Sequence, residues 1–246
     1  MAVLPQEMVT RVARAYAAGQ IWLQSQGIQD EESVDVALAA ASLRWFWKPR
    51  EVNTLLLTNL RDFTETAELN FRVKSNWLTI DGDSPPDAFI RMPYCIGYGE
   101  PELVPGLSPD KNRAPHSTWQ TLADLTQREH LIVDAPLLDR LEWKVRTLKE
   151  LRSRGIWMLD ATMHAGRTDR GLIQIWWERI GSLIYEEEHK PLIVTYGRGL
   201  YDDLLAVGAP AADFLYHPQG LASPSQRDHQ QAAVDHIRRL TPNPSA

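Results

Sequence analysis

The chain predicts an α/β fold: three α/β/α layers around a central four-stranded, mainly parallel sheet, preceded by an N-terminal helical extension. Three observations carry that expectation. Short apolar runs of strand length recur at residues 52–58, 155–160, 191–196 and 213–216. Between them lie segments with apolar residues at helical spacing, so helix and strand alternate from residue 50 onward, the pattern of a parallel sheet covered by helices. The first run holds Leu55-Leu56-Leu57 without polar alternation, which suits a strand buried on both faces.

Taken in order, residues 6–48 read as two helices. Val9, Val12, Ala13, Tyr16 and Ala17, then Val34, Val36, Ala37, Ala40 and Leu43, recur at helical spacing, with Gly27 to Asp30 between them. The breaker pair Lys48-Pro49 closes this layer, and Val52 to Thr58 follows as the first central strand. Ile80 to Asp87 is polar and proline-bearing, hence a loop, while Ala88 to Ile96 reads as a further extended segment with Pro93 at an edge or bulge. Gly97 to Pro115, rich in Gly and Pro, reads as a long loop, a length often found in lids and binding loops. Helices are expected at 117–128 and 135–153, the second feeding the strand Gly155 to Asp160. Gly171 to Glu188 carries Leu172, Ile173, Ile175, Trp176, Ile180, Leu183 and Ile184 at helical spacing. Pro191 to Tyr196 is a short buried strand, Leu200 to Val207 a short helix, Asp213 to Tyr216 the last strand, and Ser225 to Leu240 an amphipathic helix. The tail 241–246 is expected to fray.

Composition bounds the function. At 246 residues with 43% hydrophobic residues the chain can bury one core, so a single domain over 1–246 is expected, with helices 1–48 packed on it. Cys95 is the single cysteine, which excludes an internal disulfide and disfavours a cysteine-held metal or cluster; no metal and no cofactor are expected. Met1 to Glu7 lacks a basic region followed by an apolar core, and no apolar run approaches the roughly 20 residues that span a bilayer. A cytoplasmic, monomeric protein without membrane contact is the expectation. The net charge of −6 gives no global pull on polyanions, yet a protein touching a few phosphates needs only a few well-placed cations. Of the nine tryptophans most are expected in the core, with some available to stack on a base.

Two strand ends carry chemistry. The run Gly155-Ile156-Trp157-Met158-Leu159 ends in Asp160, and Asp213 to Tyr216 ends in His217-Pro218-Gln219-Gly220-Leu221. In an open α/β sheet, ligands bind outside the carboxyl ends of the strands. Together with the helix around Trp176 and Trp177 and the strand Pro191 to Tyr196 followed by Gly197, these residues, in this order and spacing, resemble the C-terminal half of the uracil-DNA glycosylase superfamily. The likeness covers about 70 residues, Gly155 to Ala222, and Leu55 to Asn59 falls where that family's water-positioning loop begins.

The resemblance implies a uracil-DNA-glycosylase-like fold and an enzyme that flips a nucleotide out of DNA and hydrolyses its N-glycosidic bond, leaving an abasic site. It places Leu221 as the wedge that fills the vacated stack, with Gln219 beside it on the DNA. It places His217 as donor to the base oxygen that gains charge as the bond breaks. Asp160 departs from the family's asparagine. An ionised aspartate offers acceptors only, which suits a 4-amino group over a 4-oxo group and points to a cytosine-type base. The plain alternative turns Asp160 away as a helix cap or pairs it with Arg167. After the first strand, Thr58-Asn59-Leu60-Arg61-Asp62-Phe63 replaces the family's Gly-Gln-Asp-Pro-Tyr-His; Leu60 stands at the catalytic aspartate, so either Asn59 orients the water or Asp62 acts as the carboxylate. Asp62 also stands where a tyrosine guards the base 5-position, so a 5-substituted pyrimidine can be admitted.

The expected substrate is therefore DNA carrying a modified cytosine, hydroxymethylated or glucosylated as in phage DNA, and the expected role is antiviral defence. Phe63, Tyr94 and Tyr98 are candidate stacking partners for the base, and His164 a lining residue of the same mouth. Arg61, Arg167, Arg198 and Arg227 are candidate phosphate contacts. The rival readings are conventional uracil excision with Asp160 protonated, a noncatalytic nucleic-acid-binding relative, and processing of free nucleosides.

Overall fold

The computed structural model describes residues 4–30, 32–59, 61–113, 116–130, 134–216, 221 and 223–241. Its centre is a four-stranded parallel sheet: β1 Thr54–Thr58, β2 Ile156–Asp160, β3 Leu192–Tyr196 and β4 Ala211–Leu215, in the order β2-β1-β3-β4. All four strands coincide with runs read from the sequence, to within two residues at either end. The helices are α1 Gln6–Ser25, α2 Val34–Phe46, α3 His116–Thr126, α4 Leu137–Ser153, α5 Arg170–Trp176, α6 Ser182–Glu187, α7 Arg198–Ala206 and α8 Pro224–Leu240. The chain divides into two compact units, one built from Met1–Phe46, Asn59–Ala114 and Asp160–Ile184, the other from Trp47–Thr58, Pro115–Leu159 and Tyr185–Ala246.

The sheet belongs to the second unit, where β1 pairs with β3 from Thr54↔Leu192 to Leu57↔Thr195, and β3 pairs with β4 through an irregularity between Ile193 and Val194. Leu55, Leu56 and Leu57 are fully buried, as an apolar run without alternation requires, and each contributes about 1.5–3 kcal/mol of burial free energy. α7 packs on β3 and β4, α8 packs on β4 and α3, and α3 packs on α4. The turn from α4 into β2 is made by Gly155 at φ +74°, whose carbonyl takes the Asn53 and Thr54 amides at 2.8 and 3.0 Å. A Cβ there would collide with the Asn53 side chain and approach the Glu51 carbonyl to 2.8 Å, so the start of β1 needs glycine at this point. α8 opens on a capping box in which the Ser223 hydroxyl takes the Gln226 amide and the Gln226 side chain takes the Ser223 amide.

In the first unit α1 packs on α2 and α5. The helix expected over 171–188 is present, but interrupted by one π-helical turn at Trp177–Gly181 between α5 and α6. The segment 88–96 corrects the sequence reading: it is not extended. After a single bridge from Arg72 to Ala88 it winds through consecutive turns, Ile90 to Met92, Met92 to Cys95 and Cys95 to Tyr98. Phe89, Ile90, Met92, Tyr94, Cys95 and Ile96 are buried around those turns, which gives an apolar-rich run, broken only by Arg91 and Pro93, that mimics a strand. The loop 97–113 carries short 3₁₀ turns at Pro101–Leu103 and Pro109–Lys111. Asn112 fastens it, accepting from the Gly99 amide and donating to the Gly97 carbonyl, both at 2.8 Å. Among the described residues no helix is long and apolar enough to cross a membrane, and no cluster of His, Cys, Asp and Glu is arranged to hold a metal ion.

Candidate functional site

β1 and β2 both run out into the first unit, β1 into the loop that begins at Asn59 and β2 into the segment that begins at Asp160. Arg61 locks the two together. Its guanidinium donates to the Met163 carbonyl at 2.8 Å and lies 3.6 Å from the Asp160 carboxylate, while its own carbonyl accepts from the Gly166 amide at 3.2 Å. Its remaining nitrogen meets Glu32 at 2.5 Å, and Glu32 takes the Thr64 amide at 3.2 Å on its other oxygen. Asp160 is further ion-paired with Arg44 of α2. All four charges sit inside the protein, Arg61 at 3% and Asp160 at 5% exposure. Such groups persist in a low-dielectric interior because each is paired with an opposite charge. Burial pushes the Glu32 carboxyl above its usual range, although the charge and hydrogen bond of Arg61 and the Thr64 amide act the other way.

Asp30 and His164 form a second, adjoining pair. His164 Nδ1 is bonded to Asp30 Oδ2, its ring stacks on Tyr16 with centroids 4.8 Å apart, and its Nε2 is buried against Gly19 of α1 without a hydrogen-bond partner. A side chain on Gly19 would collide with that nitrogen. Tyr16 donates to the Glu32 carbonyl and accepts from Gln20 at 2.8 Å, linking the two pairs. Burial works to raise the Asp30 carboxyl, but the hydrogen bonds from His164 and the Glu32 amide, with the charges of His164 and Arg167, outweigh it and hold the group below its usual value.

A cleft of about 440 Å³ is lined by Gln29, Asp30, Phe63, Ala165, Gly166 and Arg167, and the Asp30 side chain is 8% exposed. Phe63 is 40% exposed at its wall, and Arg167 donates weakly to the Gln29 carbonyl at 3.5 Å. An anion, a guanidinium and an aromatic face around one opening suit a planar polar ring: one side to stack, one edge to give a proton, another to accept. Asp62, next to Phe63, is exposed, and its Oδ2 takes the hydroxyl of buried Tyr98. Burial, then the hydrogen bond and charge of Asp62, push that hydroxyl far above its usual range, so it remains a donor at neutral pH. A carboxylate held by one oxygen leaves the other to take a proton from water.

The structure thus brings Phe63 and Arg167 to one cleft, sets His164 behind it, and couples Asp62 to Tyr98. Other residues take places different from those expected. Arg61 is sealed in the charge network and is not presented to phosphate. Asp160 pairs with Arg44 and Arg61 where Arg167 was the partner considered, and its carboxylate is not exposed to a ligand. Tyr94, Tyr98 and His164 are buried, so no ring face of theirs is open to a base; Tyr94 lies instead beneath the Arg44 guanidinium, 5.8 Å from its ring centre. Asn59 is half-buried. In the second unit Arg198 is exposed and 3.8 Å from Asp202, and exposed Arg227 donates to the carbonyl of half-buried Leu221 at 3.2 Å. His217 and Gln219 lie outside the described residues. Asp30, Glu32 and Arg44 went unread in the sequence, because two lie in what looks like a mere helix connection and the third on a helix face otherwise apolar. No family model, curated protein or solved structure matches the chain.

Proposed function

We propose that the protein is a DNA glycosylase on a three-layer, uracil-DNA-glycosylase-like frame, which takes a 5-substituted cytosine, hydroxymethylated or glucosylated, out of the DNA stack and hydrolyses its N-glycosidic bond. The observation that carries the reading is the locking of the loop after β1 to the segment after β2 by Arg61, beside an open cleft. Hydrolysis at C1′ needs a carboxylate that handles water and a recess that reads the base, and these are the two segments in which the resemblance puts them.

Asp62 is the residue for the water: exposed, oriented by Tyr98, and adjacent to Phe63 of the cleft. Water attacks C1′ as the bond to the base nitrogen breaks; the electron pair leaves with the base and the water proton passes to Asp62. The departing base gains charge at its 2-oxo oxygen, and His217 is the proposed donor there. With Asp62 standing where the resemblance implies a tyrosine guard, the reading leaves space at the base 5-position. Duplexes carrying uracil, cytosine, 5-hydroxymethylcytosine or its glucosylated form, incubated with the protein and scored for alkali-labile sites, test this. Cleavage at the modified cytosines supports it; cleavage at uracil alone overturns the base assignment, and cleavage of none overturns the activity.

A further inference from the structure

We propose that Asp30, and not Asp160, is the carboxylate that reads the base, accepting a hydrogen from an exocyclic amino group bound in the cleft beside Phe63 and Arg167. The proposal rests on the base-excision reading and deepens it. Asp160 ends β2, where a base-reading group was expected, but two guanidiniums take its carboxylate. A base amino group would have to displace a buried Arg, which leaves an unpaired charge in the interior.

Asp30 is nearly as deeply set, its side chain 8% exposed, but it borders an open cleft. It lines the cleft itself, and its carboxylate is fixed on three sides: Oδ2 by His164 and by the Gln20 amide at 3.4 Å, Oδ1 by the Glu32 amide at 3.3 Å. Each carboxylate oxygen has two lone-pair sites, so Oδ1 keeps one for a ligand. His164 cannot turn away, since Tyr16 covers one face of its ring and α1 presses on its far nitrogen at Gly19. The result is an acceptor held in place before the ligand arrives, which is what discrimination between an amino and an oxo substituent needs. A 4-oxo group has no proton to give and meets the anion with its own lone pairs. The cleft therefore takes an amino-bearing pyrimidine, with Phe63 against its ring and Arg167 as donor to its oxygen or to a substituent.

Equilibrium dialysis of the whole chain against labelled 2′-deoxycytidine and 2′-deoxyuridine tests this without any need for base release. The expected result is a preference for deoxycytidine of at least about tenfold in the wild type, falling below about threefold in Asp30→Asn, whose shape is the same but whose amide donates as well as accepts. Should Asp30→Asn melt out, irradiation of the wild type with 5-iodo-2′-deoxycytidine and peptide mapping decides the matter, with the label expected on the cleft peptides that hold Phe63 or Arg167. An unchanged preference in Asp30→Asn, a label confined to other peptides, or no binding of either nucleoside overturns the assignment. Nucleoside binding that depends on Asp30 in a protein that releases no base leaves the cleft standing and removes the glycosylase reading; base release indifferent to Asp30 does the reverse.

Discussion

Asp160 shows how far one side chain's partners decide its role. Seen alone it is a polar residue closing an apolar strand, the position from which a ligand is read; in place it is the anion of a buried cluster with Arg44 and Arg61. Removing one partner of such a pair is expensive because the other charge stays behind. Arg44→Ala is expected to lose about 3–5 kcal/mol in urea unfolding, while the double change Arg44→Leu with Asp160→Leu costs clearly less. Additive losses would show that the pair is not coupled. Tyr196 supplies a pH test in the second unit, where its hydroxyl bonds Thr121 at 3.2 Å. Burial pushes the group from its ordinary value near 10 up to about 12, against the hydrogen bonds from Thr121 and Thr118. A raised folded-state value means its contribution is whole below pH 10 and fades as pH rises toward 12. Tyr196→Phe is expected to flatten the loss of stability across that window, followed by urea midpoints at each pH. At this scale the sequence is least readable, since Arg44, Arg61 and Asp160 meet only after three separate segments have folded.

Elements were far more legible, because they depend on neighbours a few residues away. Unbroken apolar runs gave β1, β2 and β3 their burial, and the 3.6-residue spacing in 6–48 gave α1 and α2. The pattern misled where apolar residues pack around turns, in 88–96, and it could not foresee the π turn at Trp177–Gly181, which shifts register by one residue without changing composition. The Asp30–Glu32 connection between α1 and α2 read as a linker for the same reason: its partners, His164 and Arg61, lie far along the chain. α1 acts on the cleft through one glycine. Gly19→Ala pushes a methyl group into His164 and is expected to cost about 1–3 kcal/mol and to weaken the deoxycytidine preference, since the imidazole that holds Asp30 must move. Full stability with unaltered preference would show that the notch has no part in holding Asp30.

For the molecule as a whole, the parallel sheet and the helices that pack on its strands were predictable from alternation alone, whereas the site was readable only in its placement at strand ends. The loop after β1 and the segment after β2 do meet, with Asp30 the carboxylate proposed to read the base and Asp62 the one beside the solvent. With a net charge of −6 the protein has no general attraction for DNA, so the proposed activity requires a small number of specific contacts. The most direct measurement is mass-spectrometric detection of free base released from a duplex holding one glucosylated 5-hydroxymethylcytosine. The account predicts free modified base in equal amount to abasic sites, and a rate at least about 100-fold lower in Asp62→Asn. No free base from that duplex or its hydroxymethyl counterpart, or release of uracil alone from a matched duplex, would contradict it.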